Sequence, residues 1–84
     1  MTAQFKKISD LGLIAALKSK GYVEIDKRLE GKRISFVYET DPAFEDLCQT
    51  YFDHRMEVDA FDFHMALKAV KQVIWNLQRE ARVV

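Results

Sequence analysis

The sequence predicts an α+β domain with the element order α-β-β-α-α. Three observations point there. Two segments of alternating character, 22–29 and 32–39, flank Glu30-Gly31. Apolar residues recur at helical spacing before and after them. Capping residues stand where each helical stretch begins or ends. A chain of 84 residues is one domain, 1–84, with a small core and modest stability.

The first helix is expected over about 10–20. Ser9 is its N-cap, with Ile8 ahead as a hydrophobic staple. Leu13, Ile14 and Leu17 form the apolar stripe, with Leu11 beside it. Lys18 and Lys20 suit the last turn, and Gly21 stops the helix by taking the left-handed conformation. The hairpin follows over about 22–39. A two-residue turn at Glu30-Gly31 sets Val23 against Tyr38, Ile25 against Phe36 and Lys27 against Ile34. That face is mostly apolar, and Tyr22, Glu24, Asp26 and Arg28 share the other face with Glu39, Val37, Ser35 and Arg33. Asp41-Pro42 then starts a helix over about 42–53, with Asp as cap and Pro at the first position. Its stripe is Phe44, Leu47, Cys48, Tyr51 and Phe52. The pattern breaks over 53–58. Asp59 caps a last helix over about 60–80, whose stripe is Phe63, Leu67, Val70, Ile74 and Leu77, flanked by Ala66 and Val73. A two-stranded sheet makes a poor core alone. Joining two hairpins into a four-stranded sheet across a two-fold axis would relieve this, which favours a homodimer.

Hydrophobic residues are 49% and charged residues 31%, a globular composition and not that of a disordered tail. Lys plus Arg equals Asp plus Glu at 13, so a bulk basic footprint for nucleic acid is absent. The charge is nevertheless segregated. Residues 1–38 carry eight basic and four acidic residues (+4), 39–62 carry one and eight (−7), and 63–84 carry four and one (+3). Complementary packing of an acidic helix against basic elements accounts for this, as does a dipolar docking surface. One cysteine excludes an intramolecular disulfide framework. No apolar run approaches the roughly 18 residues a membrane span needs. The opening MTAQFKKISD lacks an apolar middle, and a cytoplasmic location is expected.

Three groups of residues carry a family resemblance. They are Asp10-Leu11 with the helix ending Lys20-Gly21-Tyr22; Phe36-Val37-Tyr38-Glu39 running into Asp41-Pro42; and Tyr51-Phe52, Val58-Asp59, Phe63, Ala66-Leu67, Lys71 and Ile74. Together they resemble a family of short bacterial and phage proteins classed as a domain of unknown function. The resemblance spans roughly residues 5–78. It implies a self-standing domain of bacterial or mobile-element origin. Its motifs are structural and bring no catalytic residues.

The residues themselves offer little chemistry. Cys48 lies within an apolar stripe, where a cysteine acts as a small hydrophobe. No Gly-rich phosphate loop or dinucleotide fingerprint is present. His54, Glu57, Asp59, Asp62 and His64 cluster in sequence. Yet His64 has only Ala60, Phe61, Leu67 and Lys68 at the helical offsets, so no metal site is expected. No enzyme activity and no cofactor are expected either.

Two features invite binding. Lys27, Arg28, Lys32 and Arg33 crowd the hairpin tip, where they guard the sheet edges or meet a phosphate backbone. On the last helix, Phe61, Met65 and Trp75 stand opposite Val70, with Lys68, Gln72 and Arg79 among them and Lys71 at the margin. Trp, Met and Arg are enriched at protein interfaces, and aromatic residues among cations also suit a single strand. The expected function is a non-enzymatic interaction module that self-associates as a dimer, with Phe61, Met65 and Trp75 in the interface. The alternative is a nucleic-acid accessory protein of phage or mobile-element type. It would use Lys27, Arg28, Lys32, Arg33, Lys68, Lys71 and Arg79.

Overall fold

The computed structural model describes residues 4–82. The order is β-α-β-β-α-α: β1 (Gln4–Ile8), α1 (Leu11–Ser19), β2 (Asp26–Glu30), β3 (Arg33–Thr40), α2 (Pro42–Phe52) and α3 (Ala60–Arg82). The class is α+β, but the expected order α-β-β-α-α lacked β1. This strand pairs antiparallel with β3, setting Lys6 opposite Tyr38 and Ile8 opposite Phe36. The sheet therefore has three strands in the order β1-β3-β2. With β3 flanked on both sides, each chain completes its central strand alone. The sheet within one chain thus has three strands where two were expected.

The helix ends follow from local chemistry. Asp10, and not Ser9, caps α1: its Oδ1 accepts the Leu13 amide at 2.9 Å. Ser9 is left to meet Ser35, Oγ to Oγ at 3.0 Å, and so satisfies a buried hydroxyl in the sheet. Gly21, at φ +92°, closes α1. The Tyr22 amide reaches back to the Leu17 carbonyl and the Gly21 amide to that of Lys18. This is the paired bonding of a Schellman motif. Asp41 caps α2 through the Phe44 amide at 2.7 Å, with Pro42 at the first helical position.

The hairpin differs from the expected one in extent and in register. Residues 22–25 are not strand. Tyr22 turns inward from the Schellman motif and packs edge-on against Phe44, with ring centroids 5.4 Å apart. Val23 and Ile25 are 77% and 55% exposed instead of facing the core. The chain joins the sheet only at Ile25, whose amide bonds the Val37 carbonyl at 2.8 Å. Asp26 is also opposite Val37, so two residues meet one, as in a β-bulge. The turn itself is Gly31-Lys32. Gly31 is at φ +63°, which suits the first central position of a type II′ turn. Glu30 consequently opposes Arg33, and Arg28 opposes Ser35. The expected Arg28–Arg33 opposition does not occur, because an acid across from Arg33 is the lower-energy pairing.

All three helices contribute to one core beneath one face of the sheet. Ile8, Ile34, Phe36 and Tyr38 from the sheet meet Leu13, Ile14 and Leu17 of α1, Phe44 and Cys48 of α2, and Val70 of α3. The shortest dimension, 19 Å, is that of one sheet and one helix layer. Lys6 points to the helix side and pairs with Glu45 of α2 at 3.1 Å. A second link joins α2 to α1: the Tyr51 hydroxyl donates to Asp10 Oδ1 at 3.0 Å.

Candidate functional site

The last helix positions the most conspicuous exposed side chains. α3 runs 23 residues, about 34 Å at 1.5 Å per residue. Asp59 begins it, accepting the Asp62 amide at 2.9 Å. One face turns to the core. Ala66 and Val70 are buried, and Phe63, Leu67, Val73, Ile74 and Leu77 are partly covered. The opposite face is bare. Phe61 is 70% exposed, Met65 47% and Trp75 54%, with Lys68, Gln72 and Arg79 exposed between them. These six residues form one stripe at offsets of four, three, four, three and four. The structure thus brings Phe61, Met65 and Trp75 together on one surface, in line with Lys68 and Arg79.

The hairpin cations are dispersed instead. Lys27 meets Glu24 at 3.4 Å, and Arg28 Nε meets Asp26 at 3.3 Å. Adjacent in sequence, the two point to opposite faces of β2. Lys7 binds Glu30 at 2.8 Å across the outer face of the sheet. That hydrogen bond and charge hold the Glu30 carboxyl below the usual range, with smaller help from Arg28 and Arg33. Lys32 and Arg33 line a groove of about 440 Å³ with Ser9, Asp10, Ile34, Ile74 and Gln78. Lys71, one helical turn before Ile74, stands on the same flank of α3. The cations lining the groove are Lys32 and Arg33.

Burial and hydrogen bonding set the state of several other titratable residues. Cys48 is 1% exposed and burial pushes its thiol up, so the reactive thiolate is disfavoured. Tyr38 is likewise raised by burial. Tyr51 is raised by burial and by its bond to Asp10. Asp53 is held low by the Gln49 amide and the Arg55 guanidinium. His54 and His64 are exposed, and His54 has φ +61°. Among the described residues no three His, Cys, Asp or Glu side chains are grouped to hold a metal ion. No described helix is long and apolar enough to cross a membrane.

Sequence reasoning missed one surface entirely. On the outer face of the sheet, Phe5, Lys7, Ile25, Arg28 and Val37 help line a groove of about 330 Å³. Phe5 comes from the unexpected strand and Ile25 from the bulge. The available signal was Phe36-Val37-Tyr38, three consecutive apolar residues, which suits a strand covered on both faces.

Comparison with protein families places the chain. The family described as "Domain of unknown function (DUF5659)" matches residues 4–76. The chain belongs to this family. The DUF5659 match starts at the first residue of β1 and extends into α3, taking in Phe61, Met65 and Trp75. The resemblance to a domain of unknown function is thereby shown. No curated protein and no solved structure matches this DUF5659 chain.

Proposed function

We propose that this DUF5659 domain is a non-enzymatic interaction module that self-associates through the outer face of α3. One observation carries the reading: α3 is apolar on two sides, and the fold covers only one. Phe61, Met65 and Trp75 are left in solvent on a single stripe. Exposed apolar groups in such a row favour association, because burying them releases water. Arg79 and Lys68 in the same stripe fit an interface, where Arg is enriched and lysine stems pack while their amines stay wet. The proposed setting is the cytoplasm.

The reading is tested by light scattering and sedimentation from 5 to about 500 µM, a range chosen for the weak end of specific association. The mean mass should rise with concentration, and Trp75→Ala should suppress the rise. A monomer at every concentration would defeat the reading. So would association that Trp75→Ala leaves unchanged.

A second reading, nucleic-acid binding, draws on the groove lined by Lys32 and Arg33, with Lys71 on the same flank of α3 as Ile74. It is weakened by the acids already beside Lys27 and Arg28, and by Asp10 in the groove wall. It requires single-stranded DNA binding at low salt that declines steeply as salt rises. No binding at low salt removes it.

A further inference from the structure

We propose that the α3 outer face is occupied by α3 of a second copy, laid antiparallel. Phe61 then meets the partner's Arg79, Met65 meets the partner's Trp75, and Lys68 meets the partner's Gln72. This rests on the reading of the face as a self-association surface and adds its geometry.

The spacing comes first. Positions 61, 65, 68, 72, 75 and 79 alternate by four and three, the narrow seam that two long helices share. They extend over 18 residues, about 27 Å of helix. The opposite seam, centred on Val70, is already used by the core. α3 therefore has one free seam of full length.

Charge decides the direction. In a parallel pair each seam residue faces its own copy. Lys68 would lie on Lys68 of the partner subunit and Arg79 on Arg79 of the partner subunit, two like-charge contacts with little water between them. The antiparallel pair removes both. Arg79 lies over the ring of the partner's Phe61, a cation–π contact. The Met65 thioether lies against the indole of the partner's Trp75, a favoured sulfur–aromatic contact. The Lys68 amine reaches the side-chain carbonyl of the partner's Gln72. Asp62 follows Phe61, so Arg79 also comes level with Asp62 of the partner subunit and gains an opposite charge. The helix dipoles oppose as well.

The same reasoning fixes the register. Paired residue numbers add to 140, and every seam position finds a partner, making six layers. Sliding one heptad in one direction sets Lys68 against the partner's Arg79. Sliding in the other leaves Lys68 against the partner's Met65 and Arg79 beyond the seam. The like-charge approaches in the chosen register are Lys71 near the partner's Lys71 and the partner's Lys68, and Glu80 near the partner's Asp62, all reaching solvated flanks where salt screens them. A single helix pair is smaller than a standard interface. Half-association is therefore expected on the order of 10–100 µM.

Spin labels on exposed flank positions read the geometry. Lys71→Cys lies beside the two-fold axis and Glu80→Cys lies ten residues from it. In the antiparallel pair the two copies of position 80 are separated by about 30 Å along the helices, and those of position 71 by about 3 Å. Dipolar spectroscopy at about 300 µM should thus return a much longer distance for Glu80→Cys than for Lys71→Cys. Wild-type protein, whose lone Cys48 is buried, should take up no label. Similar short distances at both positions would overturn this register while leaving self-association standing. No dipolar signal at either would overturn the pairing and the self-association reading together. A charge exchange gives a second test. Arg79→Glu should weaken association at least tenfold, and adding Asp62→Arg to the same chain should restore it. These positions lie 17 residues apart on one helix, so rescue requires the antiparallel partner. Failure of the double variant to recover, with each variant folded by circular dichroism, would overturn the register.

Discussion

Gly12 shows how tightly one residue can be bound to its surroundings. A Cβ there would land on the Tyr51 hydroxyl, which is held by Asp10. Alanine is the better helix former by about 1 kcal/mol, but here it must displace that hydroxyl and break its bond. Gly12→Ala is expected to destabilise the protein by about 1 kcal/mol net, since overpacking costs about 1–3 kcal/mol. In a Tyr51→Phe background the same change should be neutral or stabilising, because the obstructing oxygen is gone. A double-mutant cycle by urea unfolding measures the difference. Equal effects in the two backgrounds would contradict the contact. Asp10 is doubly engaged, as cap and as acceptor for Tyr51. Asp10→Ala should accordingly cost about 1–2 kcal/mol, the upper range for a lost cap. Ser9→Ala should cost less, although Ser9 was the expected cap.

α3 has two faces with different work, and two substitutions separate them. Val70 is buried among α1 and the sheet, and Val70→Ala should lower unfolding free energy by about 1–3 kcal/mol. Trp75 is exposed and opposite. At concentrations where the protein is monomeric, Trp75→Ala should change stability by no more than about 0.5 kcal/mol. Chemical denaturation at 2 µM checks both, and a large loss for Trp75→Ala would place the indole in the chain's own core. The hairpin gives a contrasting element. Its tip is rich in Lys and Arg, yet Glu24, Asp26 and Glu30 answer Lys27, Arg28 and Lys7. Such a strand is well suited to an edge that must avoid unwanted pairing.

For the molecule as a whole, three buried or bonded acids link stability to alkaline pH. Cys48, Tyr38 and Tyr51 all have raised pKa values in the fold, mainly through burial. Below the unfolded values, about 8.5 for Cys and 10 for Tyr, both states hold these protons and the stabilisation is whole. As pH rises further, the unfolded chain releases protons that the fold retains. Fewer protons on the unfolded side make unfolding easier with each increment of pH. The urea midpoint should stay level from about pH 7 to 8 and decline through pH 9–11. Tyr51→Phe should decline less steeply over that window, because one of the three groups no longer titrates. A level midpoint to pH 11 would contradict the burial of these groups.

The helices were legible in the sequence because their signals are local. Asp41-Pro42, Lys20-Gly21-Tyr22 and Asp59 act within one turn of backbone, and the stripes of α2 and α3 repeat too regularly for any other element. The bare row of Phe61, Met65 and Trp75 was legible for the same reason, since helical spacing alone puts it opposite Val70. β1 was not. Gln4–Ile8 has no apolar alternation: Phe5 and Ile8 fall on opposite faces, and two lysines stand between them. It becomes a strand because β3 has a free edge whose backbone groups need partners, a requirement felt only after β3 is placed. The hairpin register was decided in the same way. Glu30-Gly31 and Gly31-Lys32 both permit a two-residue turn, and both keep the same residues on each face. What chose between them was the inward turn of Tyr22 onto Phe44, the doubling of Ile25 and Asp26 opposite Val37, and the Glu30–Arg33 pairing. Each depends on residues brought together from separate elements. Helix identity and helix faces were therefore set by contacts within four residues, whereas strand number, register and the dispersal of the basic tip were set by contacts that exist only in the folded chain.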